Sequence, residues 1–171
     1  MSKAINILFI DDDENLYIIY NKILKDNIKD KFNFDYIGTA EEIEGQIKDK
    51  HYDIIILDQK LNNGNKGLDF LPLIKKNDIY TYVIINSAYG NEKLATEAIR
   101  KGADDYVQGN KEDNDEFLEV INKAIQYVKR SKIIDDISNS FINLENKLEN
   151  NMNTQITEIK NRMSEIINRK K

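Results

Sequence analysis

The chain has 171 residues, enough for one well-formed domain and an extension but not for two full domains. Its formal charge of −5 and pI near 5.1 argue against a partner held by attraction to a phosphate backbone, so nucleic acid is not expected as a ligand. There is no cysteine, which removes disulfide and thiolate chemistry and fits a reducing compartment; the expected location is the cytoplasm. The N-terminal apolar run ends after six residues in Asp11-Asp12-Asp13, too short for a signal-peptide core or a membrane span, so a soluble protein without a membrane partner is expected.

Short runs rich in isoleucine and valine alternate with segments of helical period, as in repeated strand-helix units around a buried parallel sheet. The predicted strands are Ile5–Ile10, Phe34–Ile37, Ile54–Leu57, Tyr82–Ile85 and the weaker Tyr106-Val107. Between the first two lies a helix with Leu16, Ile19, Tyr20, Ile23 and Leu24 on one stripe. A second helix opens on Thr39-Ala-Glu-Glu42, a capping-box pattern, and carries Ile43 and Ile47. The third runs from about Leu68 to Lys76, with Pro72 tolerable in its first turn. A fourth, Leu94 to Arg100, presents Leu94, Ala98 and Ile99 and closes at Gly102. The fifth begins near Asn114 or Asp115 and carries Phe117, Val120, Ile121, Ala124, Ile125 and Val128.

All seven glycines and the single proline lie at or before Gly109, so nothing after Val128 terminates the fifth helix. Residues 1–130 are expected to form the domain and residues 131–171 a helical tail. In that tail Ile134, Ile137, Phe141, Leu144 and Leu148 step by three and four. Met152 and Ile156 follow in steps of four, and Ile159, Met163 and Ile166 resume the alternation. This is a heptad seam with one stutter, which a lone helix cannot bury, so a coiled coil and a homodimer through the tail are expected. The asparagines at 150, 151 and 153 are mediocre helix formers and weaken that expectation locally.

Ligands of open parallel sheets bind beyond the carboxyl ends of the strands, and the unusual polar residues stand there. Asp11, Asp12 and Asp13 close the first strand, Asp58 closes the third, and Ser87 follows the fourth. Each alone could cap the next helix. If the first, third and fourth strands are neighbours, however, at least three carboxylates converge, and a hard divalent cation, Mg2+, relieves their repulsion. A metal-bound carboxylate at a strand end is then a plausible nucleophile toward phosphorus, with Ser87 offering a hydroxyl to a phosphoryl oxygen.

Four segments, Ile7-Leu-Phe-Ile-Asp-Asp-Asp13, Tyr52-Asp-Ile-Ile-Ile-Leu-Asp58, Val83-Ile-Ile-Asn-Ser-Ala-Tyr-Gly90 and Gly102-Ala-Asp-Asp-Tyr-Val107, resemble in order and spacing the receiver domain of two-component response regulators. The resemblance covers about residues 4–130. It implies a doubly wound α/β fold, a five-stranded parallel sheet in order 2-1-3-4-5 with helices on both faces, followed by the long C-terminal helix. It also implies that Asp58 accepts a phosphoryl group from a sensor histidine kinase or phosphotransfer protein. Asp12 would be a direct Mg2+ ligand, Asp11 one acting largely through water, and the Lys60 backbone carbonyl another. Ser87 would be the switch hydroxyl and Tyr106 the aromatic that turns inward on activation. The chain would signal by protein contact without a DNA-binding output, and would not be an enzyme beyond its own phosphotransfer and dephosphorylation.

Two positions depart from the family pattern. Where receivers carry Lys-Pro after the last strand, this sequence reads Gly109-Asn110; Lys111 and Lys60 are the nearest candidates for the missing cation. The loop Gln59–Gly67 lacks the usual proline and is one residue longer. Lys60 and Tyr89, two residues beyond Asp58 and Ser87, are bulky and predict a long-lived acyl phosphate. Loss of the lysine leaves open a pseudo-receiver that serves as an interaction scaffold. A third reading takes Asp11 as nucleophile and Asp13 as general acid of a haloacid-dehalogenase-like phosphatase, but leaves Asp58 unexplained. The single histidine, His51, is expected to be solvated.

Overall fold

A computed structural model of the chain describes residues 4–88, 91–109 and 114–168. Five strands, β1 (Ile5–Ile10), β2 (Phe32–Ile37), β3 (Ile54–Asp58), β4 (Tyr82–Ser87) and β5 (Asp105–Gln108), form one parallel sheet in the order β2-β1-β3-β4-β5. The helices are α1 (Glu14–Asn27), α2 (Ile43–Asp49), α3 (Leu71–Asn77), α4 (Glu92–Arg100) and α5 (Asp115–Asn168). This is the flavodoxin-like receiver architecture, in which each parallel pair needs a helical crossover and both sheet faces become buried.

The strands are apolar on both sides, and their two-residue alternation sorts the core into two layers. Leu8, Ile10, Ile55, Leu57, Val83 and Ile85 face α2, α3 and α4. Ile7, Phe9, Ile54, Ile56, Tyr82 and Ile84 face α1 and the beginning of α5, where Phe117, Ile121, Ala124 and Ile125 are buried. Side chains lock the strand starts: the Asp53 carboxylate accepts the Asn6 N–H at 2.8 Å, and the Asp104 carboxylate accepts both the Val83 N–H at 2.8 Å and the Lys75 ammonium at 2.5 Å.

Several local expectations need correction. The capping box does not form: the Thr39 hydroxyl donates to the Glu42 carboxylate at 2.7 Å, residues Ala40–Glu42 make a 3-10 turn, and α2 starts only at Ile43. A 3-10 turn over Gly67–Asp69 likewise precedes α3, which places Pro72 in the first turn where its missing N–H costs nothing. β2 begins two residues before the apolar run because Phe32 pairs with Ile5 at the sheet edge. Ile19 and Ile99 are 37% and 51% exposed and lie off the buried faces held by Tyr20 and Leu24 in α1 and by Ala98 in α4. Gly102, with φ of 104°, follows α4 in the left-handed conformation that its position demands.

The chain divides into two compact units, Met1–Lys129 and Arg130–Lys171. In the second, α5 runs without a break through Asn150, Asn151 and Asn153. Ile134, Ile137, Phe141, Leu144, Leu148, Met152, Ile156, Ile159, Met163 and Ile166 are all between 45% and 66% exposed. No helix among the described residues is long and apolar enough to cross a membrane.

Ile84, fully buried in the interior strand β4, reports on the core. Ile84→Ala is expected to lower unfolding free energy by about 2–5 kcal/mol, measured by urea denaturation, with no change in sheet topology.

Candidate functional site

The pairing of β1 with β3 sets Ile10 opposite Leu57, so the next residues on the two strands, Asp11 and Asp58, leave the sheet side by side. The third carboxylate belongs to Asp12. One oxygen from each of Asp11, Asp12 and Asp58 lies within 4.8 Å of the others. Asp11 is buried at 3% exposure, Asp58 is half-buried and Asp12 is open to solvent, so the cluster is a shallow acidic pocket with a dry floor.

The local backbone fixes these groups. Asp11 accepts the N–H of Asp13 at 2.8 Å, which turns the chain sharply at the end of β1. Asp13 in turn accepts the Asn15 N–H at 3.0 Å and is the N-cap of α1. A side chain committed to a helix start is badly placed for the general-acid role of the phosphatase reading. Asp58 accepts the Lys60 N–H at 2.7 Å, which draws the Lys60 peptide against its carboxylate. The loop beyond closes as a narrow hairpin, with the Leu61 N–H on the Asn65 carbonyl at 3.0 Å and the Gly67 N–H on that of Gln59 at 3.0 Å. Asn63, at φ of 57°, adopts the left-handed conformation at the tip of this loop. Gly67 is required here, since a Cβ would stand 2.1 Å from the Asp58 carbonyl oxygen.

Burial is the main cause that pushes the Asp58 carboxyl up to about 7; Asp11 adds to it and Asp12 contributes less, against a downward pull from the Lys60 and Gln59 backbone N–H groups. A group poised in this way exchanges its proton for a cation near neutrality. Three hard oxygen donors at this spacing suit an ion such as Mg2+, with the Lys60 peptide alongside.

Asn86 of β4 stands opposite Asp58, and Ser87, one residue further, is the buried last residue of that strand. Tyr106 in β5 is half-buried against the α3–α4 side of the core. Its hydroxyl is buried beside the Ser87 side chain, with no hydrogen bond of normal length and angle among the described residues. Desolvation raises its pKa, and the neighbouring Ser87 side chain partly offsets this. Lys111 and Tyr89 lie outside the described residues. His51 is half-exposed near the opposite strand ends, its Nδ1 3.0 Å from Asp78 and its Nε2 3.5 Å from Asp53.

Two further residues stand at the site with no functional role assigned from the sequence, where Tyr20 reads only as part of the α1 stripe and Asn86 only as part of the β4 segment. Tyr20 of α1 donates its hydroxyl to Asn86 Oδ1 at 3.4 Å, and both residues are buried. Nothing in local sequence separates them from core-filling residues.

The response regulator receiver domain family matches residues 7–128. The chain belongs to this family. Over 157 residues this receiver is 31% identical to an NtrX-like response regulator of Rickettsia bellii, covering 85% of this chain and 32% of the relative. It therefore spans about a third of the length of the curated relatives it matches. Among solved structures it is similar to the signal receiver domain of a Luxo repressor protein from Vibrio parahaemolyticus, with TM-score 0.66 and 31% identity over 79% of this chain and 98% of that one. The beryllofluoride-activated NtrC4 receiver domain dimer matches with TM-score 0.62 and 27% identity over 72% of this chain and 98% of that one.

The raised Asp58 pKa makes a signed prediction. Between the unfolded value near 3.8 and the folded value of about 7 the native receiver holds a proton that the unfolded chain has lost, so this residue's contribution to stability falls as pH rises through that window. Asp58→Asn removes the burden. It is expected to stabilise the protein at pH 8 by roughly 1–3 kcal/mol, a figure reduced for solvent screening, and to do little at pH 4. Thermal melts at the two pH values check this; equal shifts would contradict it.

Proposed function

We propose that this receiver accepts a phosphoryl group on Asp58 from a sensor histidine kinase or phosphotransfer protein. Mg2+ would be held by the Asp11, Asp12 and Asp58 carboxylates and the Lys60 carbonyl. The observation that carries the reading is the convergence of three carboxylate oxygens within 4.8 Å, one of them on a half-buried strand end. Beryllofluoride activation of the NtrC4 receiver, 27% identical to this one, supports it.

When bound, the cation offsets the negative charge brought together by the carboxylates and the incoming phosphoryl oxygens. The deprotonated Asp58 oxygen attacks phosphorus in line. A P–O bond forms as the bond to the donor's imidazole nitrogen breaks, and that nitrogen leaves with the electron pair. Water later cleaves the P–O bond, returning the carboxylate and releasing inorganic phosphate. The chain turns over no external substrate, so it is not an enzyme in the ordinary sense. The Ser87 hydroxyl donates to a phosphoryl oxygen, and Tyr106, with its hydroxyl beside Ser87, responds to that movement.

The exposed seam from Ile134 to Ile166 pairs with the same helix of a second copy, giving a cytoplasmic homodimer that signals through protein contacts rather than nucleic acid. A row of apolar residues at heptad spacing supports this, since each is left in water by the single helix.

Incubation with Mg2+ and acetyl phosphate is expected to label the wild type but not Asp58→Asn, with slow loss of label because the bulky Lys60 limits water access. A protein that takes no label would be the interaction scaffold instead. Mg2+ affinity, measured by titration calorimetry, is expected to rise with pH from 6 to 8 as the Asp58 proton is lost; a flat profile contradicts the pocket. For the tail, Leu144→Asn with Leu148→Asn is expected to convert a dimer to a monomer in sedimentation. A dimer that persists would place the interface elsewhere.

A further inference from the structure

Gly109, which stands where the family pattern has lysine, lies in a crowded corner. The Gly109 N–H donates to the Ser87 carbonyl at 3.1 Å, so the backbone keeps sheet-like spacing just past the strand. A Cβ on residue 109 would stand 2.8 Å from Asn86 Oδ1 and 3.3 Å from the Tyr20 hydroxyl. The first contact is shorter than packed atoms tolerate, so a side chain at 109 has to displace a buried amide. The volume in which a lysine would begin is already taken by Asn86 and Tyr20, at 1% and 2% exposure.

That polar pair is costly to bury unless it has work to do. Its one mutual hydrogen bond is long, at 3.4 Å, and so repays little of the cost of burying two polar groups. The pair is nonetheless held rigidly. The Tyr20 ring stacks on Phe117 at 4.0 Å and 8°, and meets Phe9 edge-on at 5.4 Å. Asn86 is fixed by its strand, directly opposite Asp58, and its carbonyl accepts the Gln59 N–H at 2.9 Å. The Tyr20 phenol lies close enough to Asp11 and Asp58 to feel both charges.

We propose that Tyr20 and Asn86 occupy the phosphoryl-facing corner that lysine fills in other receivers, and that the Asn86 amide and the Tyr20 hydroxyl, both neutral donors, contact the phosphoryl oxygens on Asp58. This rests on the Asp58 reading above. The corner thus sets neutral donors where the family's lysine would bring a full positive charge.

Calorimetric titration of the full chain with beryllofluoride in saturating Mg2+ tests it. Tyr20→Phe, which keeps the ring stacking, and Asn86→Ala should each weaken beryllofluoride binding about 3–10-fold, the effect of losing one neutral hydrogen bond, while Mg2+ affinity and melting temperature stay near wild type. Unchanged beryllofluoride affinity in both variants overturns the proposal, as does a parallel loss of Mg2+ affinity. Gly109→Lys alone should lower the melting temperature without tightening beryllofluoride binding. Combined with Asn86→Ala, which clears the space, it should bind more tightly than Asn86→Ala does. Tighter binding by Gly109→Lys alone at unchanged melting temperature also overturns it. If the wild type shows no saturable, Asp58-dependent binding, the Asp58 reading falls as well, an outcome distinct from wild-type binding that the corner variants leave untouched.

Discussion

The pairing of β1 with β3 is the constraint on which this molecule depends. It is an apolar fact first: Ile7, Phe9, Ile54 and Ile56 face one layer and Leu8, Ile10, Ile55 and Leu57 the other, and their burial fixes the register. The same register delivers Asp11 and Asp58 to one spot. Two unit charges within 4.8 Å repel by roughly 3 kcal/mol at the effective dielectric of a protein surface. Against a net stability of about 5–15 kcal/mol for a domain, that is a large local cost. The core tolerates it, and a proton or a cation relieves it. Burial first, and this repulsion second, raise the Asp58 pKa, and the same repulsion is what a divalent ion in the pocket would offset.

β4 connects that charged pocket to the rest of the sheet. Asn86 and Ser87 are consecutive, so their side chains leave on opposite faces, one toward α1 and the other toward α4. The end of β4 beside Asp58 therefore touches both layers, with Asn86 against Tyr20 on one side and Ser87 against Tyr106 on the other. The Tyr106 hydroxyl is buried beside Ser87 without a well-formed hydrogen bond, a state that costs free energy. The Gly109 N–H on the Ser87 carbonyl ties the end of β5 to the same residue.

The strands and the acidic pocket were legible because both follow from short-range pattern: apolar runs of strand length with carboxylates at their ends. What was not legible depends on contacts between distant segments. Thr39 and Glu42 satisfy the capping-box pattern, yet their side chains bond to each other and the 3-10 turn takes the helix start. Ile19 and Ile99 fit a helical stripe but sit one position beyond the face the sheet covers. Gly109 reads in the sequence as a missing lysine that leaves a pseudo-receiver open, because the pattern cannot record that a Cβ there would meet Asn86 and Tyr20, 23 and 89 residues away.

The tail shows the same limit from the other side. Propensity argued against helix near Asn150, Asn151 and Asn153, yet α5 continues to Asn168. The stutter explains how the sequence accommodates these residues. A strict heptad continued from Leu148 would set Asn151 and Gln155 in the seam; two successive steps of four replace them with Met152 and Ile156. The polar residues are turned outward and the apolar row is preserved. Such a correction has no value to a solitary helix in water, where every position is equally wetted. A second helix lying along the row, as in the proposed dimer, would give that spacing its use.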